Sequence, residues 1–190
     1  MFFSMDVQPL SQWWIRAFDE QIARKTELAK LLRITIYGPW KPDEQKKILL
    51  DLVHSLNGKG FMDTDVVEGA LRPNPKNLNS FDISASYLES SDVNFLVFTL
   101  EGACRGVDTE LGYVLMHPIM VNKRSNCVVF NQERGGRQSL SQLQIDRLKD
   151  LGDIPLVPFN TWEQLNESAY YWATEYLKRY EPILIGRLSR

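Results

Sequence analysis

The sequence predicts an α/β fold, a three-layer α/β/α sandwich whose mainly parallel sheet of about five strands is of the Rossmann or flavodoxin-like kind. Three observations lead there. Strand-like and helical segments alternate along the chain about five times. Residues 33–68 hold strand, helix and strand in succession, the length of one right-handed βαβ unit. Val93-Asn94-Phe95-Leu96-Val97-Phe98 is a near-continuous apolar run, as expected of a central strand covered on both faces.

The elements follow in order. Residues 9–32 read as a helix that Ser11 can cap, with Trp14, Ile15, Phe18, Ile22, Leu28 and Leu32 at roughly helical spacing. This helix precedes the first strand, so residues 1–32 form an N-terminal extension and residues 33–190 the α/β domain, one domain in all. The extension is expected to cover the sheet or to pair with a second subunit. Arg33 to Tyr37 is a strand that stops at Gly38-Pro39. A helix opens at Pro42, with Asp43 and Glu44 suiting its positive end, and closes at Gly58 and Gly60. Asp63 to Glu68 is the second strand, and the Pro-, Asn- and Gly-rich stretch 69–80 is a loop. A helix over 80–90 precedes the central strand 93–98, and another runs from Val107 to His117. Cys127 to Phe130 is a strand, Ser139 to Leu151 a helix capped by Ser139 or Ser141, and Ile154 to Phe159 the last core strand. Thr161 to Tyr180 is the final helix, with Thr161 and Gln164 in capping-box spacing.

Composition narrows the function classes. A formal net charge of −2 offers no bulk attraction to nucleic acid or anionic lipid, so no nucleic-acid footprint is expected. No apolar run is long enough for a membrane span. MFFSMDVQPL has neither a basic start nor a long apolar stretch, so no signal peptide is expected. Cys104 and Cys127 sit in no metal-ligand spacing and read as free thiols of a reducing compartment. The expectation is a cytoplasmic protein with no metal and no cofactor.

Doubly wound sheets bind ligands beyond the carboxyl ends of their strands, which directs attention to the loops after each strand. The most informative stretch is SDVNFLVFTLEGACRGVDTELGYVL, residues 91–115. It reads as strand, Gly-containing loop and helix, and places Glu110 within about one turn of the helix start. Helix amides there favour an ionised carboxylate, whereas burial raises its pKa. Gly112 leaves room beside it, and Tyr113 lies three residues along. The plain alternative is that Asp108 and Glu110 only satisfy a helix start. The loop Glu101 to Gly106, with Gly102, Arg105 and Gly106, can hold a phosphate on backbone amides, or can simply connect. Glu133 to Arg137, with paired glycines and two arginines, is a second such loop or a solvated turn. Arg105 beside Cys104 is of the kind that lowers a thiol pKa, and an incidental thiol is the plainer reading.

Ser91 to Thr99 followed by GVDTELGYVL resembles the signature of the nucleoside 2-deoxyribosyltransferase-like superfamily. In that superfamily a strand opening on Asp leads through a loop to a helix bearing Glu-Leu-Gly-Tyr. Ile34-Thr35-Ile36-Tyr37-Gly38-Pro39-Trp40 is similar to its opening strand and aromatic turn. The resemblance covers roughly residues 33–160. It implies Glu110 as nucleophile, Tyr37 near the carboxylate or sugar, Asp92 as the acid opening the central strand and Asp82 as an acid near the base. Gly38, Trp40, Gly102, Arg105, Gly106, Asp108 and Tyr113 would line the substrate. The substrate would be a small nucleoside or nucleotide, and the protein a homodimer or higher homo-oligomer. The implied chemistry is cleavage of an N-glycosidic bond or deoxyribosyl transfer through Glu110, with Asp82, Asp92 or Asp108 as proton donor. A catalytically silent nucleotide-binding or sensor domain on the same scaffold is the alternative.

Overall fold

The computed structural model describes residues 10–39, 41–66, 80–101 and 104–189. In chain order the elements are α1 (Leu10–Leu31), β1 (Ile34–Tyr37), α2 (Asp43–Gly58), β2 (Thr64–Val66), α3 (Ser80–Ser90), β3 (Val93–Phe98), α4 (Arg105–Met116), α5 (Pro118–Val121), β4 (Cys127–Arg134), β5 (Arg137–Gln138), α6 (Gln142–Leu151), β6 (Leu156–Phe159) and α7 (Trp162–Leu188). Five strands are parallel and lie in the spatial order β2-β1-β3-β4-β6. The chain moves outward from β1 to β2, then crosses to β3 and builds the other half. The order therefore reverses between β1 and β3, and ligands of such sheets sit at the carboxyl side of that reversal.

Burial explains the layers. Along the strands, Ile34, Ile36, Phe95, Val97, Val128 and Phe130 face one core, which α2, α7 and the end of α1 close. Tyr37, Leu96, Phe98, Cys127 and Val129 face the second, under α3, α4, α5 and α6. All six residues of β3 are buried, which is why its sequence lacks alternation. Leu28, Ala29 and Leu32 of the N-terminal segment belong to the first core, whereas Ile15, Phe18 and Ile22 are exposed.

Several boundaries differ from the sequence expectation. Ser11 lies inside α1 rather than ahead of it. Pro42 is the N-cap of α2, and the helix starts at Asp43. Ser141, not Ser139, caps α6, in a capping box with Gln144. Ser139 instead binds the Phe98 carbonyl at 2.9 Å and Asn131 Oδ1 at 2.8 Å. The expected loop Glu133 to Arg137 is the tip of a hairpin: β5 pairs antiparallel with the end of β4. Gly135 and Gly136 make its turn with φ of 59° and 76°, the left-handed pair that a two-residue hairpin needs. The anion-loop reading of this segment therefore gives way to an exposed turn. Helix α7 runs past the expected stop at Tyr180, through Pro182, to Leu188. Loss of one backbone donor is outweighed there because Leu184 is fully buried and Ile185 packs on the first core.

That extension carries Arg187 back to the start of β3. Its two terminal guanidinium nitrogens donate to Asp92, each at 2.7 Å. Asp92 also accepts the Arg33 backbone N–H at 3.0 Å.

Candidate functional site

Glu110 is the sixth residue of α4, because the helix begins at Arg105 and not at Val107. No side chain caps this helix start, which is why the sequence carried no sharp signal for it. The carboxylate consequently lies in the second turn, beyond the amides that the helix leaves free. It is partly buried. Burial pushes its pKa up to about 7, against a weaker opposing pull from a hydrogen bond with Ser84. Among the described residues Glu110 makes no ion pair.

Ser84 sits on the buried face of α3 and is 7% exposed. Its backbone carbonyl accepts the Tyr37 hydroxyl at 3.4 Å. Tyr37 ends β1, pairs in register with Leu96 of β3, and is buried. The ends of β1, α3 and α4 thus meet at the carboxyl rim beside the strand-order reversal, linked as Tyr37–Ser84–Glu110. Sequence reasoning missed Ser84. Its signal is a small hydroxyl on the helical stripe that also carries Leu88, where an aliphatic residue is ordinary.

The other expected site residues divide. Asp92 lies at the amino end of β3, opposite the rim, and is tied to Arg187. The structure does not bring it to Glu110, and its charge is neutralised where it stands. Asp108 is exposed and accepts Gln144 Nε2 of α6 at 3.0 Å. Asp82 is exposed in the first turn of α3, two residues before Ser84. Arg105 and Gly106 are exposed at the start of α4. A Cβ at Gly112 would meet nothing within 4 Å, so space beside the helix is open. At Gly38 a Cβ would come within 2.5 Å of Leu49 Cδ2, so this glycine is needed for the close approach of the turn to α2. Trp40 and Gly102 lie outside the described residues.

Tyr113 is engaged with its own neighbours. Its hydroxyl donates to Glu89, its ring stacks on His117 at 4.2 Å, and Phe81 meets it edge-on at 5.5 Å. Burial and the Glu89 carboxylate push its pKa up to about 12. At Cys104 burial raises the thiol pKa, and Asp108 adds to the rise. Arg105 does not activate it. Among the described residues no group of three or more His, Cys, Asp or Glu side chains is placed to hold a metal ion. No described helix is long and apolar enough to cross a membrane.

No family model matches the sequence. No curated protein matches it significantly. Among solved structures, the chain is similar in shape to the Clostridium botulinum CMP N-glycosidase BcmB, with a TM-score of 0.49 and 13% identity, over 73% of this chain and 98% of that one. This is a distant likeness of shape, and the reading of the site rests on its own residues.

Proposed function

We propose that the protein cleaves the N-glycosidic bond of a nucleoside or nucleotide, with Glu110 as the reacting carboxylate. One observation carries the reading: a partly buried carboxylate, in no ion pair among the described residues, with its pKa pushed up to about 7 at the carboxyl rim of a doubly wound sheet. A structural acid is paired with a cation, as Asp92 is with Arg187. Glu110 instead is poised to change its bonding near neutrality. The Thr109-Glu110-Leu111-Gly112-Tyr113 context adds the resemblance to the deoxyribosyltransferase-like superfamily.

In the proposed step the ionised Glu110 attacks C1′ of the sugar. The C1′–N bond breaks, its electron pair passes to the base nitrogen, and the base leaves with a proton from a nearby acid. Water then attacks C1′, the C1′–O bond to Glu110 breaks and the carboxylate is freed, while the acid that protonated the base takes the proton of the water, which gives hydrolysis; a second base that gives up its N–H proton in the same position gives transfer. Ser84 orients the carboxylate, and Tyr37 fixes Ser84 from below through its backbone carbonyl. Asp82, on the turn of α3 that leads to Ser84, is the proposed proton donor. Asp92 is not, because it lies at the other end of the strand and is held by Arg187.

The test is release of free base from a panel of nucleosides, nucleoside monophosphates and NAD, followed by chromatography. Wild type should release base from at least one, and Glu110→Gln should abolish it. Equal behaviour of the two proteins on every substrate would remove the enzymatic reading and leave the binding-only alternative, which ligand-induced thermal shifts would then report.

A further inference from the structure

Helices α3 and α4 meet along a seam, and its rim end holds an aromatic side chain that chemistry at Glu110 does not use. Phe81, Ser84 and Leu88 share one stripe of α3, at positions i, i+3 and i+7. Gly106, Glu110 and Tyr113 share one stripe of α4, at positions i, i+4 and i+7. The two stripes touch at two points. Ser84 donates a hydrogen bond to Glu110, and the Phe81 and Tyr113 rings meet edge-on with centroids 5.5 Å apart. Ser84 follows Phe81 by three residues, and Tyr113 follows Glu110 by three, so each pair spans about 5–6 Å along its own helix. Phe81, Ser84, Glu110 and Tyr113 therefore close a four-sided contact, with the carboxylate at one corner and the phenyl ring at the opposite one.

Two features set this corner apart from ordinary packing. Phe81 stays 43% exposed although Tyr113 offers it an apolar neighbour, so the ring is held on one side and open on the other. Gly106 lies one turn nearer the rim than Glu110, on the same stripe, and a Cβ placed there would meet nothing within 4 Å. Open space thus lies on the α4 side of the seam, between the carboxylate and the rim. The hydroxyl groups of the seam are already engaged, Ser84 with Glu110 and Tyr113 with Glu89. What the described seam offers a ligand beside the carboxylate is a ring face rather than a set of hydrogen-bonding groups.

We propose that Phe81 is the base platform of this site: the leaving base stacks on its open face and is selected by ring area, a two-ring purine over a one-ring pyrimidine. The proposal rests on the reading that Glu110 receives the sugar. With C1′ at the carboxylate, the base extends along the seam toward the rim and lies against Phe81. Stacking tolerates any base edge, because every base has a π-face, and its strength grows with the area covered. Asp82, the proposed proton donor, is the next residue after Phe81, so the stacked base and the acid share one turn of α3.

The experiment uses the full chain as wild type, Phe81→Leu, Phe81→Trp, Gly106→Val and Glu110→Gln. Binding of adenosine, inosine, cytidine and uridine is measured by calorimetry, and each protein is melted without ligand. Wild type should bind both purine nucleosides about tenfold more tightly than both pyrimidine nucleosides, with adenosine and inosine within about threefold of each other. Phe81→Leu should lose most of that preference, and Phe81→Trp, which keeps a ring face, should retain it. Gly106→Val should weaken all four ligands about tenfold without lowering the melting temperature, because its side chain enters open space. Loss of the preference in both Phe81 variants, or melting of Phe81→Leu more than about 5 °C below wild type, would show that the ring serves packing and overturn the platform. No purine preference in wild type, or one unchanged in Phe81→Leu, would overturn it equally. A tenfold gap between adenosine and inosine would overturn selection by ring face. Glu110→Gln separates the two readings: if it releases base as wild type does, the glycosidic chemistry fails, while a retained purine preference leaves Phe81 as the platform.

Discussion

Asp92 and Glu110 bracket the same central strand and have opposite surroundings. Asp92 precedes β3 at its amino end, 6% exposed, and meets both a bidentate guanidinium and a backbone amide. Glu110 follows β3 past its carboxyl end, and there burial is opposed by a serine alone. The first acid is paired with a guanidinium; the second has its pKa pushed up to about 7 by burial and is in no ion pair among the described residues. An acid that is paired ties elements together, whereas one that is desolvated and unpaired is available for chemistry.

The sharpest way to break this contrast is to remove each carboxylate. Glu110→Gln should lower base release by more than about a thousandfold, as loss of a covalent nucleophile does, in a single-turnover assay. Asp92→Asn should leave the rate per folded molecule within about twofold. In exchange it should destabilise the fold by about 2–3 kcal/mol in urea melts, less than a fully buried pair because the Arg187 side chain is 42% exposed. If Asp92→Asn instead abolished turnover at unchanged stability, the two ends of the strand would not differ as described.

Proton linkage sharpens the contrast next. The Glu110 carboxyl has its pKa raised from 4.5 to about 7 by folding, so the folded state favours the protonated form. Stability should therefore fall as pH rises from about 4.5 to about 7, by on the order of 3 kcal/mol, and stay low above that. Glu110→Gln should lack this slope and melt at a higher temperature than wild type at pH 8. Turnover should run the other way, rising as pH climbs through about 7, because the attacking carboxylate must be ionised.

Two smaller effects test the support of Glu110. Ser84 holds the pKa down through its hydrogen bond, so Ser84→Ala should move the rising limb of the pH–rate profile upward, with a reduced rate at pH 7. Tyr37→Phe removes one 3.4 Å hydrogen bond to the Ser84 carbonyl and should cost about two- to threefold in rate, read in the same assay. An effect of Tyr37→Phe as large as that of Glu110→Gln would mean that the tyrosine acts on substrate directly.

Much of the architecture was legible along the chain. The unbroken apolar run of β3 announced a strand covered on both faces, and the capping box of Thr161 and Gln164 announced where α7 begins. The start of α4 was harder, because Cys104 supplies no capping side chain, and the two-residue error moved Glu110 out of the amide-rich first turn. The end of α7 was misread at Pro182 because a proline argues locally for a stop, while the burial of Leu184 argues from a distance for continuing. Ser84 was missed because a serine in a helix is unremarkable until a carboxylate faces it.

The sequence by itself determined the order of strands and helices, the parallel sheet between two layers, and the place of Glu110 just past the central strand. These follow from side-chain periodicity and turn chemistry, which act over a few neighbouring residues. Only the tertiary structure decided which acid is paired, since Arg187 reaches Asp92 across 95 positions of chain while among the described residues no cation pairs with Glu110. The pKa of a carboxyl group depends on the water and charges around it, and those are set by packing between segments that share no local pattern.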